Sequence, residues 1–416
     1  MPPDYRPEVA IDANTQPDVA AQARAWPRRP LVFLSAAILL LGIADAMVGA
    51  YFVLFQANVV GLGPVQIGVV ASTQAVGGIA VSWMLGRRFD RRPTRAYAVA
   101  VTVLGGLGLV LATRTSSFLA LVVLALTLLG GLAAAFPQLF AMARVRLGDG
   151  PAGRRSAPLL RSAWSLAWAI GPLLGAVVLA RNGFTVLFCT AAATLGVTAM
   201  ATLAAGSPRR GTQDRPAGTA GPPAYGRPDR LALTLVIAGV TLFFTAMYAG
   251  SVALPLFVTR ALHQPASAVG VLFSVCAAVE VAAALGLAAI PMRVSQRPII
   301  LTGMGTLVVY FLLTALADGM PLLLAGQAAR GIAIAAVGAA GIRYFQDLLA
   351  PATGRATTLF ANATIAGLLV AGISAGGAIA LAGYRTALLL CGITAATAAL
   401  SFTAGGIAAG RRRRRV

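Results

Sequence analysis

The chain has 416 residues, of which 58% are hydrophobic and 11% charged, and its 33 basic residues against 12 acidic ones give a formal net charge of +21. So few charges cannot cover the surface of a soluble protein of this length, which points to an integral membrane protein. All 33 basic residues are arginines, and nearly all of them are set in short segments between apolar runs, a pattern of membrane topology rather than of nucleic-acid binding.

Residues 1–30 hold Asp4, Glu8, Asp12 and Asp18 among several prolines and contain no signal-peptide core, so they read as a disordered cytoplasmic tail. A bilayer core takes about 20 apolar residues per helix. Six candidate spans follow, at roughly 31–57, 65–86, 95–113, 117–143, 157–180 and 183–205. The stretch 206–230, GSPRRGTQDRPAGTAGPPAYGRPDR, has no apolar face to bury and predicts a flexible linker. Six more spans come after it, at roughly 231–258, 266–290, 298–317, 320–345, 355–382 and 384–408, and an arginine-rich tail closes the chain at 409–416.

The arginines alternate by loop. One set of connections carries Arg87, Arg88, Arg91, Arg92 and Arg95, then Arg144, Arg146, Arg154 and Arg155, the arginines of the linker, Arg293, Arg297 and Arg355. The opposite set carries only Arg114, Arg181, Arg260 and Arg385. The rich side is expected to be cytoplasmic, with both termini inside. An all-α membrane protein of twelve transmembrane helices in two six-helix halves, 31–205 and 231–408, matches the major facilitator architecture, in which paired halves rock about a central site.

Ionisable residues within spans are costly, about 2.5–3.5 kcal/mol each on insertion scales, and point to function. On the first helix Asp45 shares a face with Gly49, Phe52 and Gln56. A carboxyl at that depth is suited to exchanging a proton during a transport cycle, as is Glu280 on the eighth helix. Arg330 on the tenth stays cationic and needs a partner, for which Asp45 and Glu280 are the candidates. The interior amides Gln74, Gln138, Gln327 and Asn362 fall on helices 2, 4, 10 and 11, which line or flank the cavity in this architecture, and helices 3, 6, 9 and 12 hold no interior charge or amide. Trp164 and Trp168, four apart on the fifth helix, present one aromatic face, and Tyr248 adds to it from the seventh. Tryptophan faces suit a sugar ring and equally a lipophilic drug. Gly171, Pro172 and Gly175 offer close packing and a bend.

Two patterns point away from other chemistry. Gly372-Ile-Ser374-Ala-Gly376 fits a hydrolase nucleophile elbow, yet it lies in an apolar helix and the one histidine, His263, is in a distant loop, so it reads as small-residue packing and the chain is not an enzyme. Cys189, Cys276 and Cys391 all fall in apolar runs, which predicts packing residues and no metal or other cofactor.

The loop from Gly86 through Asp90 to Arg95 resembles motif A of major facilitators, with Pro93 in place of the usual second glycine. FPQLFAMAR (136–144), LRSAWSLAWAIGPLLGA (160–176), NGFTVLF (182–188) and IRYFQDLLAPATGRATTLFAN (342–362) resemble the bacterial sugar efflux transporter (Set) family. The resemblance implies proton-linked export of small sugars or sugar-like compounds across the bacterial cytoplasmic membrane by a monomer. It also implies a cytoplasmic gate among Gly86, Asp90, Arg95, Gln138, Arg144, Gln346, Asp347 and Arg355, while the cavity-side placement of Gln74, Trp164, Trp168, Tyr248, Gln327 and Asn362 makes them the candidate substrate contacts. Proton-coupled multidrug or metabolite efflux and a non-transporting membrane sensor or scaffold stay open beside it. Anionic lipids are the expected partner of the terminal Arg411–Arg415 run.

Overall fold

Two glycines turn ten apolar helices into twelve. The computed structural model describes residues 28–147, 151–207, 230–290, 294–349 and 353–413, and within these it has ten helices long and apolar enough to cross a membrane. Two of the ten belong to helices of 54 and 61 residues, Pro151–Ala204 and Thr353–Arg413, about twice what a bilayer needs. Each breaks at one residue, Gly183 (φ 78°, ψ −179°) and Gly383 (φ 78°, ψ 175°). That conformation is open essentially to glycine alone. The predicted tail over 1–27, the linker over 208–229 and the last residues 414–416 lie outside the described residues.

We label the helices in chain order: α1 Arg28–Asn58, α2 Pro64–Arg91, α3 Arg95–Ala112, α4 Phe118–Leu147, α5 151–182, α6 184–204, α7 Arg230–Ala261, α8 Ala266–Ala288, α9 Gln296–Ala315, α10 Met320–Leu348, α11 353–382 and α12 384–413. The chain therefore has the expected all-α architecture of two six-helix halves. α2 runs on past the predicted boundary through most of the basic loop and stops just before Pro93, where the ring disfavours further helix. An alanine at Gly183 or Gly383 meets no neighbouring atom, so its cost is pure backbone strain. We expect either substitution to destabilise by about 1–3 kcal/mol. Thermal unfolding in detergent checks this, with Gly196→Ala, also in open space but helical, as the unaffected control.

The halves repeat one plan. α1 packs along α5 and α6, and α7 along α11 and α12. Glycines make both contacts close: Gly171 and Gly175 of α5 abut Ala46 and Tyr51, while Gly367 and Gly405 abut Phe244 and Val236. At the basic end, Arg95 at the start of α3 donates to the Leu203 carbonyl at the end of α6 (2.6 Å), and Arg146 donates to Ala205 there (3.3 Å). Arg297, at the start of α9, donates to the Thr403 carbonyl of α12 (3.0 Å). Arg95 and Arg146 meet carbonyls at the C-terminus of α6, where the dipole favours positive charge, whereas Thr403 lies inside α12, which runs on to Arg413. Outward faces are apolar, with Leu104, Leu107, Met200, Leu312, Ile393 and Leu400 exposed on α3, α6, α9 and α12, as a lipid-facing surface requires.

Candidate functional site

Between the halves lies a cavity of about 470 Å³ whose wall comes from α1, α5, α7, α8, α10 and α11. Its residues recur at helical spacing on each element: Arg161, Trp164, Ser165 and Trp168 on α5, and Phe273, Cys276, Ala277, Glu280 and Val281 on α8. Met247, Tyr248 and Ser251 of α7, Arg330 and Ile334 of α10, Leu368 of α11 and Gly49 of α1 complete it. Five expected site residues thus meet around one space: Glu280, Arg330, Trp164, Trp168 and Tyr248. Trp164 is held by Phe136 of α4, with ring centroids 4.3 Å apart.

Arg330 is 4% exposed. Its Nη2 donates to the Ser251 hydroxyl, which is oriented by its own donation to the Met247 carbonyl (3.0 Å). The Phe273 and Tyr310 rings flank the guanidinium at 5.2 and 5.6 Å, a cation–π arrangement that offsets part of its desolvation. The expected ion pair with Asp45 or Glu280 is not formed. Among the described residues the one ion pair is Arg385 with Asp318 (2.6 Å), at the loop between α9 and α10. A serine hydroxyl and two ring faces take the acid's place, while Glu280 lies in the electrostatic field of Arg161 first and of Arg330 second.

Other expected residues fall elsewhere. Asp45 is half-buried off the cavity wall, one turn from Gly49, with no hydrogen-bond or ion-pair partner among the described residues. Gln327 is fully buried against Tyr310 of α9 instead of facing the cavity, and Asn362 is exposed. Gln74 is half-buried and, two residues past Ser72, is turned about 200° from the face that meets the other half. Of the expected gate, Gln346 donates to Thr357 (3.2 Å), joining α10 to α11 within one half. Arg95 ties α3 to α6 within the other half. Gln138 is buried, with its Oε1 lacking a partner among the described residues, while Asp90, Arg144, Asp347 and Arg355 are exposed and Gly86 is half-buried. Sequence reasoning missed Arg161, Ser251 and Phe273. Arg161 carried a signal, since it continues the Trp164 and Trp168 stripe one turn toward the helix start.

The halves meet on the side of the cavity away from the basic loops. Pro64, Gly68 and Ser72 of α2 sit on one stripe against Leu369, Gly372 and Gly376 of α11. There Ser72 Oγ donates to the Leu369 carbonyl (2.9 Å) and accepts from the Ile373 amide (3.2 Å). The G-x-S-x-G sequence is thus helix packing, as its context indicated. Gly270 of α8 abuts Tyr51 of α1, whose hydroxyl donates to the Pro172 carbonyl of α5 (2.9 Å). Arg260 of α7 reaches Asn58 Oδ1 at the end of α1 (2.6 Å). At the basic end of the wall, by contrast, Arg161 is exposed.

Comparison with known proteins agrees with this architecture. A family model described as the Major Facilitator Superfamily matches residues 235–409. The chain is 34% identical over 378 residues, 90% of its length and 96% of the relative's, to a protein of Deinococcus radiodurans named as a candidate sugar efflux transporter. It is 29% identical to Sugar efflux transporter A of Dickeya chrysanthemi, covering 86% of this chain and 91% of that one. Among solved structures, the nucleoside transporter NupG superposes with a TM-score of 0.76 over 91% of this chain and 98% of its own, at 16% identity. A bacterial homologue of the human lysosomal transporter Spinster, inward-facing and occupied, gives 0.70 over 92% and 97%, at 13% identity. These two likenesses speak to the fold alone. With its twelve helices, its central cavity and a relative matched along nearly its whole length, the chain belongs to the sugar efflux transporter family of the major facilitator superfamily.

Proposed function

We propose that the protein is a secondary transporter that moves small sugars or glycosides out across the bacterial cytoplasmic membrane by alternating access, coupled to inward proton flow. The observation that carries this reading is the cavity between the halves, shut at one end by the α2–α11 seam and walled by Trp164, Trp168 and Tyr248 beside Glu280 and Arg330. Aromatic faces stack on the apolar face of a pyranose, and the size falls in the range of small-ligand sites. The arginine-rich end is cytoplasmic in this reading, both termini are inside, and the structure is the inward-facing state. Glu280 carries the proton, and each proton entering contributes about 2.3 kcal/mol per 100 mV.

The exposed gate residues Asp90, Arg144, Asp347 and Arg355 come together when the cavity turns outward, with Gly86, Arg95, Gln138 and Gln346 supporting them. The protein acts as a monomer, and Arg411–Arg415 rests on anionic headgroups. A second reading, efflux of lipophilic compounds, draws on the apolar share of the wall: Met247, Phe273, Ile334 and Leu368. Counterflow in proteoliposomes under an imposed pH gradient tests both. We expect sugar-dependent exchange and proton movement; exchange of lipophilic cations but of no sugar overturns the first reading in favour of the second, and no exchange with either panel overturns both.

A further inference from the structure

Arg161 and Glu280 face one cavity from opposite halves, and among the described residues neither has a hydrogen bond or an ion pair. The other titratable groups around Glu280 move with it. Arg330 is carried on α10, which packs on α8 within the same half: a Cβ at Gly331 would lie 2.5 Å from the Cys276 carbonyl oxygen and 2.9 Å from the Glu280 amide nitrogen. Tyr248 of α7 and Cys276 of α8 belong to that half as well. When paired halves rock as rigid bodies, only the separation of Glu280 from Arg161 changes. Helix geometry says where that change leads. α5 and α8 run in opposite directions and touch near the shut end, where a Cβ at Gly270 would clash with the Pro172 carbonyl. From that contact Arg161 stands about 16 Å along α5 toward the basic end, and Glu280 about 15 Å along α8. The two sit at one depth. The step from Pro172 back to Arg161 is also about three full turns, so both lie on the same face of α5. Arg161 is exposed at the basic end, and closing that end about the Pro172–Gly270 contact carries its guanidinium onto the carboxylate.

We propose that Arg161 is a positioning residue for proton coupling: it pairs with Glu280 across the halves when the basic end closes, and a proton on Glu280 undoes the pair. The proposal rests on the transporter reading above, in which Glu280 carries the proton. With Glu280 ionised, closure joins two opposite charges in a confined space of low dielectric, and the pair holds the end shut. With Glu280 neutral, closure would strip water from a guanidinium that gains no counter-charge, which is the costly case. A proton taken up from the far side therefore frees the basic end to open, and it leaves the carboxyl there. The sugar departs on the opposite stroke, while Glu280 is ionised.

Two measurements on the full-length protein in membranes test this. The first reads proximity. In a Cys276→Ser background, which removes the native thiol from the cavity wall, Arg161→Cys together with Glu280→Cys should cross-link on mild oxidation. Either cysteine alone should not, and cleavage at a protease site inserted in 206–230 shows the bond as halves that stay joined. The second reads charge. In Arg161→Gln the ratio of proton-driven accumulation to counterflow should fall about tenfold, within the usual range of coupling between two sites, and Arg161→Lys should recover most of it. A merely structural Arg161 would lower both activities together and leave the ratio alone. Absence of the cross-link overturns the proposal, as does a ratio in Arg161→Gln equal to the parent's or one that Arg161→Lys does not recover. If Glu280→Gln uncouples transport while Arg161→Gln does not, only this inference falls. If a proton gradient drives no sugar in the parent protein, the reading of a proton-coupled exporter falls with it.

Discussion

Gly372→Leu should reduce counterflow by about a hundredfold in a protein that still inserts and folds. A Cβ at this position would lie 2.5 Å from the Gly68 carbonyl oxygen and 2.9 Å from the Ser72 amide nitrogen, atoms of the α2 backbone that have no rotamer to relieve the clash. Overpacking of this kind costs about 1–3 kcal/mol, and here the whole cost falls on one conformation, because the contact exists only while α2 and α11 are together. Two transport states differ by only a few kcal/mol, so such a penalty reverses their populations. The carrier would then rest with this end open, and exchange, which needs both states, would stall. Gly377→Leu, five residues on and facing open space, should leave transport intact. Labelling of Cys276 on the cavity wall supplies the structural readout: a membrane-impermeant maleimide added at the basic end should react more slowly in Gly372→Leu than in the parent. Normal exchange in Gly372→Leu, or equal damage from Gly377→Leu, would show that the seam is not a gate.

For Glu280→Gln the expected result is a split: accumulation against a gradient is lost while counterflow is kept within about threefold. The amide preserves shape and hydrogen bonding but has no proton to trade. One proton removed from the cycle forfeits about 2.3 kcal/mol per 100 mV, or a factor of about fifty in the gradient the carrier can sustain. Glu280 is assigned this role over Asp45 because it alone of the two lies on the cavity wall, facing both arginines. Asp45→Asn should therefore leave uphill transport largely intact. The assignment fails if Asp45→Asn abolishes accumulation and Glu280→Gln does not.

The helix plan was readable because a bilayer imposes length and apolarity on every span, and those survive in any rotation of the helix. Even the breaks near 183 and 383 fell where predicted, at glycines that the structure requires in a left-handed conformation. The site was readable in part. Glu280, Arg330, Trp164, Trp168 and Tyr248 stand out against apolar neighbours and share the cavity. The amides did not follow, since a helix that is apolar all round gives no phase by which to tell a cavity-facing position from one packed against a neighbouring helix. Gln327 and Gln74 are the two examples. Arg330's partner was unreadable for a related reason: Ser251, one hydroxyl on a distant helix, carries no charge to announce it. Arg161 sits four residues inside its predicted span, where an arginine reads equally well as the helix end.

The seam between α2 and α11 has a further consequence. It is built from glycine backbones and one serine, and the described residues place no ion pair across it. Parting it therefore exposes little that water must re-solvate, and its strength is a sum of small contacts. Such a joint can be retuned by single methyl groups at Gly68, Gly372 or Gly376, each of which would meet the facing backbone at 2.5 Å or less and so weaken the closed arrangement. Natural variation among descendants of this chain can thus adjust how long the carrier faces each side of the membrane while the substrate cavity stays untouched. Speed and selectivity are free to evolve on separate surfaces.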